Sequence, residues 1–383
     1  SRGSGTRVWD VDGNGYLDFL SAYSAVNQGH CHPRLVAVIA EQAATLTLTS
    51  RAFHNDRLGE YARYICDLFS YDKVVPMNTG VEAGETAVKI ARKWAYDVKG
   101  VAPNNARVVF ARENFWGRTL AAVSSSTDPE SYGGFGPYMP GFGVVPYDDL
   151  TALEAELKDP NVAAFMVEPI QGEAGVVVPS AGYLSGVREL CDKYRVLFVA
   201  DEVQTGLART GAMLACDHEE VRPDLLLLGK ALSGGMLPVS AVLGDERVMS
   251  VLHPGQHGST YGGSPMACRV AQEALQIIVE EELVRRSYER GRQFLAGLED
   301  IASRAPAVEG VRGRGLLNAV VVRDEASGDD ALAWRMCLRL RDEGLLAKPT
   351  HGHIIRLAPP LVITESEVEE SLHTLDKVLT ASW

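Results

Sequence analysis

The sequence predicts an α/β protein in which a mostly parallel sheet is sandwiched by helices, with a smaller α+β domain at the C-terminal end. The prediction depends on short apolar runs, on helical patterns between them, and on a change in their alternation in the last third of the chain. Such apolar runs are typical of strands buried on both faces. Their alternation with helices indicates parallel strands joined by crossovers.

Composition narrows the class of protein. The 383 residues are 46% hydrophobic and 23% charged, as in an ordinary globular protein of two or three domains. A net charge of -13 argues against nucleic acid or an anionic membrane surface as a partner. No apolar run approaches the roughly 20 residues of a membrane span. We therefore expect a soluble protein without nucleic-acid or membrane partners.

The N-terminal residues and the cysteines indicate an intracellular location without identifying the compartment. The residues before Val8 contain no apolar signal core, so the printed chain carries no readable targeting segment. Six cysteines without C-x-x-C spacing indicate reduced thiols inside a cell. This fits the mitochondrial matrix or the cytoplasm, and the sequence does not choose between them.

The first part of the chain predicts a β-hairpin over residues 8–20, around Asp12-Gly13-Asn14-Gly15, because such a turn suits two-stranded pairing. A helix from Pro33 to about Leu46 and an amphipathic helix over 56–70 follow. We expect an N-terminal segment of residues 1–49, a large domain of residues 50–275 and a small domain of residues 276–383.

A helix from about Gly80 to Gly100 begins at a Thr-Gly turn. Free backbone N–H groups at such a helix start commonly bind phosphate. An ordinary capped helix start is the alternative. We expect residues 124–146, rich in glycine and proline, to form a long irregular loop, and loops of that length tend to be functional.

Polar side chains stand at the ends of three apolar runs. Glu168 follows the strand predicted over 162–167, Asp201 ends the run that begins at Val196, and Lys230 follows Leu225–Leu228. Parallel strands present their carboxyl ends at one sheet edge, where ligands bind. Burial lowers the pKa of a lysine and leaves part of its amine neutral and nucleophilic. Taken singly, Lys230 could be a surface residue and Asp201 a helix cap.

Together this lysine and aspartate match the needs of pyridoxal phosphate (PLP). The lysine would form a Schiff base with the aldehyde, and the aspartate would keep the pyridine nitrogen protonated. The adjacent His30, Cys31 and His32 cannot easily converge on one ion, so no metal site is predicted. Dinucleotide, P-loop and nucleophile-elbow motifs are incomplete.

The last third of the chain predicts the α+β domain. We expect one long helix from Ser264-Pro265 to about Arg304, a strand over 315–322, and a helix over 329–343. Short strands follow near residues 345–347 and 353–357, and the capping box Thr364–Glu367 opens a final helix.

Four stretches identify the chain as a member of a known family by resemblance. They are Val-Glu-Pro-Ile-Gln-Gly-Glu (167–173), Ala-Asp-Glu-Val-Gln-Thr-Gly (200–206), Leu-Gly-Lys-Ala-Leu-Ser-Gly-Gly (228–235) and His-Gly-Ser-Thr-Tyr-Gly-Gly (257–263). They resemble the class III PLP-dependent aminotransferases. Stretches 23–33, 48–53, 77–86 and 345–352 narrow the resemblance to members that act on L-ornithine. The family implies a fold-type I homodimer with active sites shared between subunits.

The resemblance assigns PLP contacts to eight residues: Gly80, Val81, Phe115, Asp201, Gln204, Lys230, Ser259 and Thr260. It implies that Lys230 forms the Schiff base and transfers the proton, while Asp201 pairs with the pyridine nitrogen. It places Phe115 on the ring face and Gln204 at the phenolic oxygen. Gly80 and Val81, at the helix start, would bind the phosphate, and Thr260 would reach it from the partner subunit.

For substrate, the resemblance implies Tyr23, Arg118, Glu173 and Arg356. Glu173 would mask Arg356 while ornithine presents its δ-amine, and would release it for the α-carboxylate of 2-oxoglutarate. The distal carboxylate would meet Arg118. A segment before the hairpin adds an aromatic residue to the ornithine pocket of family members, and the printed chain does not contain it.

The implied reaction moves the δ-amino group of L-ornithine to 2-oxoglutarate, giving glutamate-5-semialdehyde and glutamate. A related enzyme acting on N-acetylornithine or 4-aminobutyrate is the nearest alternative, although Tyr23 argues against the latter. A non-catalytic protein of the same fold is the alternative from another class, and the presence of both Lys230 and Asp201 argues against it.

Overall fold

A computed structural model describes residues 1–323 and 331–383. Its strands, in chain order, are β1 Arg2–Ser4, β2 Arg7–Trp9, β3 Gly15–Asp18, β4 Lys73–Met77, β5 Arg107–Ala111, β6 Phe142–Val145, β7 Val162–Val167, β8 Leu197–Asp201, β9 Leu225–Leu228, β10 Ser240–Gly244, β11 Val308–Arg314, β12 Leu317–Val322, β13 Leu345–Leu346, β14 Lys348–Thr350 and β15 Ile354–Leu357. Its helices are α1 Ser21–Ser24, α2 Pro33–Thr45, α3 Asp56–Phe69, α4 Gly80–Trp94, α5 Leu120–Val123, α6 Pro129–Tyr132, α7 Leu150–Leu157, α8 Tyr183–Tyr194, α9 Glu246–Met249, α10 Pro265–Glu280, α11 Leu283–Arg304, α12 Leu332–Asp342 and α13 Glu365–Leu379.

The central sheet has seven strands in the order β4-β10-β9-β8-β7-β5-β6. Only β10 runs antiparallel to its neighbours within this sheet. Every residue of β7, β8 and β9 is buried, which is why these strands are continuous apolar runs rather than alternating ones. Helices cover both faces. The predicted α/β class with a mostly parallel sheet is confirmed.

The remaining strands form two smaller sheets. β2 and β3 form the predicted hairpin. β1, which was not predicted, pairs with β2, and β13 adds to β3 in parallel from the C-terminal part of the chain. The order β11-β12-β15-β14 makes an antiparallel sheet that packs with α11, α12 and α13 in the largest hydrophobic cluster. This arrangement is the smaller α+β unit, and the exact boundaries of the three predicted domains stay a prediction.

Two predicted elements were wrong. The loop expected over 124–146 contains α6 and the edge strand β6, which pairs in parallel with β5. Its apolar run of Phe142–Val145 is short and stands among glycines and prolines, so its strand pattern was hidden. The single long helix expected from Ser264 is two helices, because Glu282 adopts a left-handed φ of 52° between α10 and α11.

Most other predicted elements agree with the structure. The last helix begins at the Thr364 capping box, as expected, and α2 and α3 match their predicted ranges. The helix predicted over 329–343 is observed from Leu332, and its residues 329–330 lie outside the described part of the chain. No helix within the described ranges is long and apolar enough to cross a membrane.

Candidate active site

Three neighbouring parallel strands bring polar side chains to one edge of the central sheet. Asp201 is the last residue of β8, Glu168 directly follows β7, and Lys230 follows β9 after Gly229. β8 lies between the other two strands. The three side chains line one cavity of about 200 Å³ at the carboxyl edge, where open α/β sheets bind ligands.

Burial sets the protonation of the lysine and the aspartate. It lowers the pKa of Lys230, although Glu173 and Asp201 oppose that change with their negative charges. It raises the pKa of Asp201 to about 6, while a hydrogen bond from the Val203 N–H, 3.1 Å long, acts in the other direction. Lys230 also has a left-handed φ of 43°, and such strained residues cluster at functional sites. The amine and the carboxylate are thus a poorly solvated pair in one cavity.

Glu168 lines the same cavity, although it was not among the predicted site residues. Its oxygens accept hydrogen bonds from the N–H groups of Phe115 (3.0 Å) and Gly172 (3.1 Å). Burial, followed by the charge of Asp201, raises its pKa to about 8. Its position at a strand end, one strand away from Asp201, was the signal that could have identified it.

The start of α4 forms a wall of the cavity. Thr79 caps this helix and makes a reciprocal capping box with Glu82, so Gly80 and Val81 occupy its first turn. The first N–H groups of a helix have no intrahelical acceptor and attract anions. A Cβ on Gly80 would lie 3.0 Å from Val203 Cγ1. Glycine therefore keeps the cavity open beside the N–H groups of this turn.

Phe115 and Gln204 line the cavity with Lys230. Gly172 contacts Gln204 so closely that a Cβ there would overlap Gln204 Oε1. Gln204 Nε2 in turn donates to Glu173 Oε1 over 3.3 Å. The turn after β7 is therefore packed directly on this end of the cavity.

Glu173 and Arg356 form an ion pair of 2.7 Å between Nη1 and Oε1. Arg356 is only 4% exposed and also donates to the Gly172 carbonyl. Burial opposes ionisation of Glu173, but the guanidinium outweighs it and holds the pKa of this carboxyl below its ordinary value. Glu173 is therefore ionised at neutral pH, and its carboxylate masks the guanidinium of Arg356.

Tyr23 lies beside this ion pair, with its ring centroid 5.0 Å from Arg356 Cζ. Arg118 is exposed, and its Cζ lies 5.5 Å from the ring centroid of Phe115. Of the predicted substrate residues, Arg356 thus contacts both Glu173 and Tyr23. Arg118 lies at the aromatic wall of the cavity.

Ser259 and Thr260 are not among the residues that line this cavity. The Ser259 hydroxyl accepts from Asn78 Nδ2 over 3.0 Å, which ties it to the residues just before α4. Thr260 is exposed. Within the described ranges, no group of His, Cys, Asp and Glu side chains could hold a metal ion.

The model of the aminotransferase class-III family matches residues 1–379. A mitochondrial ornithine aminotransferase of Rattus norvegicus is 62% identical over 378 residues, which are 99% of this chain and 85% of the rat protein.

Two solved structures are also similar. The ornithine aminotransferase of Toxoplasma gondii, crystallised in the presence of oxidised glutathione, has PLP at partial occupancy in its active site. Its TM-score is 0.96 and its identity 52%, over 99% of this chain and 89% of that one. The acetylornithine aminotransferase of Elizabethkingia anophelis has a TM-score of 0.90 and 51% identity, over 99% of this chain and 92% of that one.

Proposed function

The chain belongs to the class-III aminotransferase family, and we propose that its sheet-edge cavity and its masked arginine together direct the transfer of the δ-amino group of L-ornithine to 2-oxoglutarate. The products are glutamate-5-semialdehyde and glutamate. The observation that carries this proposal is the 2.7 Å ion pair of Glu173 and Arg356. It lies next to Gln204, which lines the same cavity as Lys230.

The residues of the cavity fit PLP. An amine, a carboxylate, an aromatic side chain and a helix start surround it, and a Cβ on Gly80 would crowd Val203. When bound, PLP supplies an aldehyde that exchanges between amines and a ring that withdraws electrons from the carbon bearing the amine. Asp201 would hold the ring nitrogen, and Gly80 and Val81 would hold the phosphate.

Lys230 Nζ acts as the base of the reaction. Burial lowers its pKa, so a larger part of the amine is unprotonated at neutral pH and can accept a proton. That proton comes from the substrate carbon bearing the reacting amine. The N–H of Phe115 donates a hydrogen bond to Glu168, which fixes the backbone that carries the aromatic ring. Gln204 would face the phenolic oxygen of the cofactor.

Glu173 selects which end of a substrate reaches Lys230. While Glu173 neutralises Arg356, the α-carboxylate of ornithine has no free guanidinium there, so the δ-amine enters the cavity. When Glu173 turns away, Arg356 binds the α-carboxylate of 2-oxoglutarate, and Arg118 meets its distal carboxylate. The selectivity equals the difference between the binding free energies of the two orientations of the substrate, and the masked charge of Arg356 changes that difference.

We further propose a homodimer in which Thr260 of each subunit serves the site of the other. Thr260 is exposed and is not among the residues lining its own cavity. The neighbouring Tyr261 is 62% exposed and Phe53 is 73% exposed. Large exposed apolar side chains of this kind are typical of interfaces.

Sedimentation would report the assembly state. Mixing a Thr260→Ala chain with a Lys230→Ala chain should restore part of the activity if sites are shared.

Product identification tests the proposed function. The protein, loaded with PLP, is incubated with 2-oxoglutarate and L-ornithine, N-acetylornithine or 4-aminobutyrate in separate reactions. We expect glutamate-5-semialdehyde, detected as its cyclic imine, to form fastest from ornithine. Faster turnover of N-acetylornithine would contradict the proposal and favour the alternative donor. A 2-oxo acid, formed by loss of the α-amino group of ornithine, would contradict the role of Glu173.

A further inference from the structure

Lys348 lies directly opposite Arg356 in the small antiparallel sheet. The two residues are register partners of β14 and β15, so their side chains project from the same face. Like charges in this arrangement destabilise a strand pair. Arg356 is neutralised by Glu173, whereas Lys348 is exposed and approaches Tyr23 instead.

Tyr23 contacts both cations. Its ring centroid lies 5.3 Å from Lys348 Nζ and 5.0 Å from Arg356 Cζ, within the range of cation–π attraction. Tyr23 has a φ of 61°, and the residues from Ser21 to Ser24 all have positive φ values. Four consecutive residues in this region are costly for L-amino acids and persist only where surrounding contacts determine them. The tyrosine is therefore held against the two cations by its backbone.

The hydrogen bond between the two side chains has only one possible direction. Lys348 Nζ donates to the Tyr23 hydroxyl oxygen over 2.9 Å, because an ammonium group has three donors and no acceptor. The phenolic oxygen is thus an acceptor in this contact, and its own hydrogen remains to donate elsewhere. A donor beside a guanidinium suits a carboxylate.

We propose that Lys348 is a positioning residue that orients Tyr23 to donate a hydrogen bond to the α-carboxylate bound by Arg356. Lys348 acts through Tyr23 and does not touch the substrate. This inference rests on the proposed function, because that function brings the α-carboxylate of 2-oxoglutarate to Arg356. It goes further by giving a role to a lysine that the reaction scheme does not otherwise use, and by fixing the direction of the tyrosine hydrogen bond.

A double-mutant cycle tests the inference. Lys348→Met, Tyr23→Phe and the double variant are compared for calorimetric affinity toward 2-oxoglutarate and for the KM values of both substrates. Lys348→Met should weaken the affinity for 2-oxoglutarate about fivefold to tenfold, the size of one ordinary hydrogen bond. The KM for ornithine and kcat should change less than about twofold, since Arg356 is masked in that half-reaction. In the Tyr23→Phe background the same change should have little effect.

Lys348→Arg, which keeps a donor to the hydroxyl, should restore most of the affinity. Lys377→Met, at an exposed lysine paired with Glu343, is the matched control for loss of one positive charge. Equal losses in the parent protein and in the Tyr23→Phe background, or equal losses for both substrates, would overturn the inference. If the parent protein does not act on ornithine, the proposed function fails, and the calorimetric cycle still decides whether Lys348 acts through Tyr23.

Discussion

The two ends of the candidate site are built differently. The sheet-edge group, Glu168, Asp201 and Lys230, stands at the ends of three adjacent strands whose residues are all buried. The gate group, Tyr23, Glu173, Lys348 and Arg356, comes from four separate segments and is joined by ion-pair, hydrogen-bond and cation–π contacts.

The difference indicates which part of the site can move. Strands paired within a sheet and buried on both faces hold side chains rigidly, as a cofactor and a proton transfer require. An ion pair between a loop and another sheet can open by side-chain rotation, because no backbone hydrogen bond has to break. We therefore propose that the sheet-edge group performs the chemistry and that the gate group selects the substrate through rotation of the Glu173 side chain.

Lys230→Ala gives the largest expected effect and tests the sheet-edge group. The variant should lose activity by more than about 10³-fold, since it removes both the amine that binds the aldehyde and the proton acceptor. The visible absorbance of the loaded protein should also change. Lys193→Ala, at an exposed lysine paired with Glu154, is the control. Retained activity in the Lys230 variant would mean that another amine performs the chemistry.

Glu173→Ala tests the gate group and should leave the chemistry intact. Freed from its partner, Arg356 would bind the α-carboxylate of ornithine, so the ratio of δ-transfer to α-transfer should fall about tenfold or more. Chromatography of the two oxo-acid products measures this ratio. Glu369→Ala, at an exposed position on α13, serves as the control. An unchanged ratio would remove the idea of a gate.

Gly172→Ala tests how tightly the two groups are joined. The added Cβ would overlap Gln204 Oε1 and displace the side chain that donates to Glu173. We expect PLP affinity to fall about tenfold, with folding retained. Gly310→Ala is the control, because a Cβ there has no heavy atom within 4 Å. Fluorescence titration of the cofactor compares the two variants, and equal affinities would contradict the close packing.

The smallest expected effect concerns Glu168 and pH. Burial and Asp201 raise its pKa from 4.5 to about 8, so the folded chain keeps a proton that the unfolded chain releases. The contribution of Glu168 to the stability of the fold is complete below pH 4.5, the pKa of this carboxyl in the unfolded chain, and is lost as the pH rises toward 8. Glu168→Gln should reduce the change in the free energy of unfolding over this pH range by about 1 kcal/mol. This is less than the whole pKa shift of Glu168 would give, because Asp201 titrates nearby. Denaturant unfolding at pH values between 4.5 and 8 measures the free energy of unfolding, with Glu369→Gln as the control. If this free energy has the same dependence on pH in Glu168→Gln as in the parent protein, the raised pKa of Glu168 is contradicted.

Much of the fold could be predicted because local patterns determined it. The apolar runs that lead to Glu168, Asp201 and Lys230 predicted buried strands, and their alternation with helices predicted parallel pairing. The sequence did not reveal β6 or β10 as strands. β6 is a short edge strand among glycines and prolines. β10 runs antiparallel beside β9, so it does not follow the pattern of parallel strands joined by helices.

The sequence by itself determined which residue types stand at the strand ends and, through its motifs, the family. Only the tertiary structure decided what those residues contact. It showed Glu168 bridging two loops and Lys348 hydrogen-bonded to Tyr23 across more than 300 residues of chain. The physical reason is that a strand or helix depends on neighbours a few residues away. Ion pairs, cation–π contacts and shifted pKa values depend instead on groups that approach only when distant segments pack together.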